Sequence, residues 1–400
     1  MKKRILLIGA FDTKGEEYAY VRDLIAERGH RTLLVDSGIF QSAALRPDIP
    51  SSKVAEAGGF SLEKMREKGD RGKAVDAMIT GVQKLVPKLY SDGEFDAVLA
   101  LGGGAGTNIA TAGMRELPVG VPKLMVSTHA SSDVSTYVDV KDITMMYPVA
   151  DIAGLNPVTR RILSNAAGAI CGMAEQHYVE TEQKPLIAAS MFGVTTPCVT
   201  EVRRLLEKAG YEVMAFHATG TGGRAMEALI EDDYFAGVAD ITTTEWCDEV
   251  AGGVLTAGPD RLGAAGRKGI PQVVSCGALD MVNFLTPDTI PDKFKSRTFY
   301  KHNPTVTLMR TSPEECGEIG KRIAEKLNQS SGPVVLMIPL KGVSAIDKKG
   351  EPFFDPKANN SLFDALHKHT NSSVKVLELD LHINDPEFAE AVAEELLQLF

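Results

Sequence analysis

Phe95-Asp96-Ala97-Val98-Leu99-Ala100-Leu101-Gly102-Gly103-Gly104-Ala105-Gly106-Thr107 reads as a short buried strand that runs straight into a glycine-threonine cluster, with a helix expected after it. A second stretch repeats the layout: the apolar run Val213–Phe216 leads to Thr219-Gly220-Thr221-Gly222-Gly223-Arg224, again ahead of a helical segment. Glycines let backbone N–H groups turn toward a ligand with no Cβ in the way, and the positive end of a helix dipole favours phosphate or carboxylate. Each cluster is therefore expected to be an anion cradle. The same glycines also suit close strand-to-helix packing with no ligand at all, and the residues alone leave both readings open.

Working outward, Val-, Ile- and Leu-rich runs alternate with segments of helical period, the pattern of parallel sheets covered by helices. Strands are expected at 4–8, 32–35, 96–101, 123–126, 186–190, 213–216, 237–241, 272–275, 305–308, 334–338 and 374–379. Helices are expected at 16–27, 75–89, 157–175, 199–208, 221–230, 313–327 and 386–399, with Ser312 and Asp385 as caps before Pro313 and Pro386. One unit occurs twice. Residues 10–30 align without gaps on 191–211 at a constant offset of 181, which pairs Phe11 with Phe192, Val21-Arg22 with Val202-Arg203 and Gly29 with Gly210. The expected fold is thus α/β with two Rossmann-like lobes, each a mostly parallel sheet covered by helices. The lobes are placed at 1–184 and 185–400, divided at the polar stretch Thr181–Pro185.

Four hundred residues with 44% hydrophobic content exceed one ordinary core and agree with two domains. A formal charge of −10 argues against a broad nucleic-acid or polybasic membrane surface, so any anion site must be focal. The five cysteines are far apart and form no C-x-x-C pair, which points to a reducing cytoplasm and away from a disulfide framework or structural zinc. The run Ile5–Ile8 after Lys2-Lys3-Arg4 is too short for a signal peptide and reads as the first strand.

Neither cluster is a P-loop, because the G-x-x-x-x-G-K-[ST] lysine is missing, and Gly9-Ala10-Phe11-Asp12 departs from G-x-G-x-x-G, which disfavours a hydride-transfer enzyme. In the second lobe His217, Arg224 and Glu245 are the ionisable groups nearest strand ends. With Thr243 and Thr244 they outline a substrate pocket in which Arg224 clamps a carboxylate and His217 moves a proton. His217 packed at a strand end, and Glu245 with Asp248-Glu249 as a solvated helix start, are the plainer readings. Cys276 stands at a strand end without a nucleophile elbow around it, and His302-Asn303-Pro304 is either a lid or a turn. The Met145-Met146-Tyr147-Pro148 run and the small-residue helix at 166–172 raise self-association as a hypothesis.

The segments IGAFDTKGEEYAYVRDLI (8–25), LALGGGAGTNIATAGMRELPVGVPKLMVST (99–128) and FHATGTGGRAMEALI (216–230) resemble the ATP-binding domain family of the tomato mosaic virus resistance protein and its bacterial relatives, over essentially all 400 residues. The resemblance implies two Rossmann-like subdomains, self-association, and ATP binding on Asp12, Thr13, Lys14, Gly103, Gly104, Gly106 and Thr107. If ATP binds, Gly103–Thr107 would give N–H groups to the phosphates, Lys14 a point charge, and Asp12 a contact to magnesium. The antiviral role of the plant protein, in which a barrel domain follows, is not carried over. The expected function is an enzyme using ATP and magnesium on a small organic acid in a cleft between the lobes. A lyase or hydrolase of a sugar-acid-like substrate without ATP turnover, or a nucleotide-sensing protein with a protein partner, are the alternatives.

Overall fold

The computed structural model describes residues 2–39, 45–68, 70–177 and 183–400. The chain divides into two compact units, Met1–Glu180 and Thr181–Phe400. Thr181 and Glu182 of the expected linker lie outside the described residues.

The first unit is a five-stranded parallel sheet of β1 (Arg4–Gly9), β2 (Arg31–Asp36), β3 (Ala97–Gly102), β4 (Lys123–Ser127) and β5 (Thr144–Met146), in the order β2-β1-β3-β4-β5. Successive side chains of a strand point to opposite faces, and here both faces are apolar. Ile5 and Leu7 share a core with Tyr18, Val21 and Ile25 of the helix Phe11–Glu27, while Leu6 and Ile8 share the other with Met78 and Val82 of the helix Arg71–Ser91. The helix after β1 covers one face and the helix after β3, Gly104–Arg115, covers the other. The winding therefore reverses between β1 and β3, which makes their carboxyl ends the topological switch point. Tyr18 plugs the seam where the two strands stop pairing at Ile8 and Ala100, its hydroxyl donating to the Ile8 carbonyl (2.5 Å) and accepting from the Leu101 N–H (2.7 Å). A Cβ on Gly9 would lie 2.0 Å from that hydroxyl, so only glycine ends β1 here.

The second unit repeats the winding and extends it. Its strands are β6 (Leu186–Met191), β7 (Glu212–His217), β8 (Gly237–Thr242), β9 (Gln272–Gly277), β10 (Met281–Phe284), β11 (Phe299–Asn303), β12 (Val306–Arg310), β13 (Val334–Pro339) and β14 (Val374–Leu379). Six form a parallel sheet, β7-β6-β8-β9-β13-β14, and three a separate antiparallel sheet, β10-β12-β11. Helices Thr196–Lys208 and Pro386–Gln398 share one core, while Pro313–Leu327 and Pro356–His369 share another. The internal repeat is structural: β2 and β7 keep the offset of 181, from Arg31 to Glu212 and from Asp36 to His217. Gly29 and Gly210, which turn the chain from helix to strand, both take positive φ (88° and 100°).

Both lobes are α/β with a mostly parallel, helix-covered sheet, as the alternation of runs implies. The antiparallel sheet is an addition that the sequence pattern did not indicate. Ser312 caps its helix with a capping box, whereas Asp385 does not cap: its carboxylate turns back to accept the His382 N–H at 2.7 Å. Among the described residues no helix is long and apolar enough to cross a membrane.

Candidate functional site

At the switch point of the first unit the glycines divide by role. A Cβ on Gly102 would meet the Gly106 Cα at 3.0 Å and its carbonyl carbon at 3.1 Å, so Gly102 serves strand-to-helix packing. Gly103 and Gly106 have room, the nearest atoms being Thr128 Oγ1 at 3.6 Å and the Leu101 carbonyl at 3.7 Å, whereas a Cβ on Gly104 would crowd His129 Nε2 at 3.3 Å. No side chain caps the helix Gly104–Arg115, and the N–H groups of Gly104, Ala105 and Gly106 find no acceptor among the described residues. These residues are half-buried and reach solvent. This is a row of oriented donors at the positive end of a 12-residue helix.

The loop after β4 holds this row from the side. Thr107 and Ser127 share a hydroxyl hydrogen bond at 2.7 Å, and the Ser127 Oγ accepts the His129 N–H at 3.0 Å. The His129 Nδ1 lies 3.3 Å from the Tyr137 hydroxyl. When that hydroxyl donates, the proton of the imidazole sits on Nε2, the nitrogen beside Gly104. His129 thus stands beside the glycine loop, with Nε2 free to donate in that tautomer.

The other expected positions are placed as follows. Thr107 is fully buried, and its hydroxyl is committed to Ser127. Asp12, Thr13 and Lys14 occupy the first turn of the helix Phe11–Glu27, which is interrupted at Lys14 (φ −132°). The Asp12 carboxylate accepts the Ile39 N–H at 3.0 Å and packs on Gly38, where a Cβ would come within 2.7 Å of it. Lys14 Nζ donates to the Ile152 carbonyl, and Thr13 is exposed. Among the described residues no group of three or more His, Cys, Asp or Glu is arranged to hold a metal.

The second cluster stands elsewhere in its lobe, after the edge strand β7 and not after the central β8. It is also filled. Glu245, at the start of the loop-helix following β8, sends Oε1 to the N–H groups of Gly220 (2.7 Å) and Gly223 (3.1 Å). A Cβ on Gly223 would lie 2.2 Å from Oε2 of the same carboxylate. The anion in this cradle is the protein's own. Oε2 accepts from Arg261 Nε (2.6 Å), and the Arg261 guanidinium also grips Asp240 with two prongs (2.5 and 2.6 Å) and reaches Glu227 (3.2 Å). Burial pushes the Glu227 carboxyl up, opposed by Arg261 and by the N–H groups of Ala264 and Leu262.

The second lobe therefore does not gather His217, Arg224 and Glu245 around one ligand. Glu245 is 1% exposed and points inward, while His217 and Arg224 are exposed, with the His217 ring against Phe192 (centroids 5.3 Å apart) and Arg224 reaching the Thr256 carbonyl at 3.5 Å. Thr243 and Thr244 are buried, and their hydroxyls donate to the Ser275 and Met281 carbonyls. Cys276 is buried, and burial pushes its thiol up to about 12, which leaves no thiolate at neutral pH. His302-Asn303-Pro304 is a hairpin turn: Asn303 Oδ1 accepts the Thr305 N–H at 2.8 Å.

A feature outside the expected set lies at the carboxyl ends of β13 and β14. A cavity of about 580 Å3 opens there, with Lys341, Lys348, Lys349, Asn359, Asn360 and His382 on its polar walls. Three separate stretches of chain build it.

The chain matches two family domains: "Uncharacterised protein family (UPF0261) N-terminal domain" over residues 3–179 and the C-terminal domain of the same family over 184–400. The "UPF0261 protein" of Clostridium tetani is 51% identical over 401 residues, spanning 100% of this chain and 99% of that one. The "ToMV resistance protein Tm-1(GCR237)" of Solanum lycopersicum is 37% identical over 422 residues, spanning 99% of this chain and 56% of that one. Among solved structures, a UDP-N-acetylglucosamine 2-epimerase from Rickettsia bellii aligns over 100% of this chain and 96% of its own at 10% identity, with a TM-score of 0.24.

Proposed function

From a chain that belongs to the UPF0261 family, and from the site just described, we propose that the first unit binds ATP by its phosphates on the loop Gly103–Gly106. The observation that carries this reading is the contrast between the two glycine clusters. The second is closed by Glu245, whereas the first presents N–H groups without acceptors among the described residues on a half-buried surface that reaches solvent. Backbone donors and the helix dipole would take up phosphate charge, with the His129 Nε2–H and the Thr128 hydroxyl beside them. Magnesium would enter with the phosphates and keep most of its waters, and the carboxylate expected to meet it is that of Asp12, just after the neighbouring strand β1, where it accepts the Ile39 N–H. Thr107 supports the loop through Ser127 and does not touch the ligand, and Lys14, bound to the Ile152 carbonyl, contributes charge at a distance.

ATP held there would serve an ATP-coupled reaction on a small organic acid. A second reading, a lyase or hydrolase of a sugar-acid-like substrate without ATP turnover, is favoured by the lysine-rich cavity of the second unit. Hydrolysis of ATP only in the presence of an acid separates the first from the second.

The direct test is calorimetric titration with ATP, with and without magnesium, of the parent and of Gly104→Val. A valine at 104 puts methyl groups where the phosphate would sit and presses on His129, yet the position is half-exposed at a helix start, where valine costs under about 1 kcal/mol. The expected result is a folded variant with ATP binding weakened by about a hundredfold, as three charge-assisted donors lose their partner. Equal affinity in parent and variant, or no binding by the parent, overturns the proposal.

A further inference from the structure

We infer that the cavity at the carboxyl ends of β13 and β14 is a binding site for a sugar bearing a phosphate or carboxylate group. Three observations meet there.

The first is charge. Lys341, Lys348 and Lys349 line the cavity. Lys341 pairs with the exposed Asp380 at 3.0 Å, but Lys348 and Lys349 pair with no acid among the described residues. The acid in the wall, Asp385, has its Oδ2 on the His382 N–H. A chain of net charge −10 thus turns a cationic face into one concave place, which is how a focal anion site is built.

The second is a rigid polar floor. Asn359 is 6% exposed and its orientation is fixed: Oδ1 accepts from the Arg310 guanidinium at 2.7 Å and Nδ2 donates to Asp347 at 2.8 Å. One of its two amide hydrogens is then without an acceptor among the described residues, in a side chain that lines the cavity. His382 is equally fixed. Its Nε2 bonds the Ser344 carbonyl (2.9 Å) as donor, and its Nδ1 accepts the Asn384 N–H (3.1 Å). Both ring nitrogens are used within the protein, so His382 serves the cavity as a fixed wall.

The third is apolar surface. Leu340 and Phe354 both line the cavity and are each 41% exposed, although large and hydrophobic. Cations, amides and an apolar ring together suit a molecule with an anionic group, several hydroxyls and a C–H face. Inorganic phosphate would use only the lysines. The volume of about 580 Å3 holds a monosaccharide derivative with room for water.

The site is independent of ATP binding in the first unit, and the test keeps them apart. Glucose 6-phosphate, gluconate and inorganic phosphate are titrated into the full chain, into Lys348→Ala/Lys349→Ala, and into Gly104→Val. Both lysines are exposed, so the double variant should fold as the parent does. The expected result is saturable binding of glucose 6-phosphate or gluconate, tighter than that of inorganic phosphate. It should weaken about tenfold in the double variant and with rising salt, and stay unchanged in Gly104→Val. Whichever of the two sugars binds more tightly identifies the anionic group. Equal binding of all three probes, full affinity in the double variant, or no binding of either sugar overturns the inference.

Discussion

Arg261→Leu should cost the second unit most of its stability, seen as loss of its unfolding transition in a denaturant titration while the first unit still unfolds near its usual midpoint. Arg261 is 1% exposed and carries the only positive charge bonded to Asp240, Glu245 and Glu227 among the described residues. Leucine would leave three carboxylates in a low-dielectric interior with backbone N–H groups and the Ser190 hydroxyl as their remaining donors. Breaking one buried ion pair costs about 3–5 kcal/mol, against a total domain stability of about 5–15 kcal/mol. Arg261→Lys should rescue little, because a single ammonium cannot replace a planar fork that meets Asp240 with two nitrogens and Glu245 with a third. Glu245→Gln should be milder, about 1–3 kcal/mol. The amide oxygen can still accept from one set of donors, but its NH2 faces the other. If Arg261→Leu unfolds at the parent midpoint, the network does not bear on stability.

The same network explains why the sequence was readable in the first unit and misleading in the second. Strand positions, the doubled unit and the glycine loop after β3 are local signals: apolar runs, a closing glycine, a constant offset. All are written within a few residues of where they act. The second cluster has the same local grammar, yet what fills it lies 25 residues away from Gly220, on the loop after β8. Glu245 was legible as an ionisable group near a strand end; that it faces inward was not, since Arg261 sits in the polar stretch Gly258-Pro259-Asp260-Arg261-Leu262-Gly263, which carries no mark of burial. The antiparallel sheet escaped for a related reason. β10 is four residues long and includes Asn283, buried because it answers Asp248, and β11 is largely exposed and polar. Neither shows the alternation that marks a strand. The lysine-rich cavity needs residues 340–349, 354–360 and 382–385 at once, a juxtaposition that only the order of β13 and β14 creates.

The stability of the second unit should fall as pH rises from about 4 to about 7, and so be lower at about pH 8 than at about pH 5. Asp248 and Asp280 are both buried, and both carboxyls are raised from the ordinary 3.8 to about 7. For Asp248 burial dominates, opposed by the side-chain amide and N–H of Asn283 and by the Leu255 N–H. For Asp280 burial is followed by repulsion from Asp347, opposed by Arg310 and by the Ser344 hydroxyl, which donates to Oδ2 at 2.7 Å. A carboxyl whose folded value lies above its unfolded value holds an extra proton in the native state between the two. Its contribution is complete below pH 3.8, declines through the interval, and is gone once pH passes about 7. A difference of this size is worth at most about 4 kcal/mol per group. Asp280→Asn removes the charge that Asp347 repels while keeping an oxygen for Ser344. It should match the parent near pH 5 and exceed it by a few kcal/mol near pH 8, where the parent must either ionise Asp280 in the interior or hold its proton against solvent. Urea titrations at the two pH values measure both effects. A parent as stable at pH 8 as at pH 5, or an Asp280→Asn variant with the parent's slope, would mean that the buried carboxyl is compensated by neighbours other than Arg310 and Ser344.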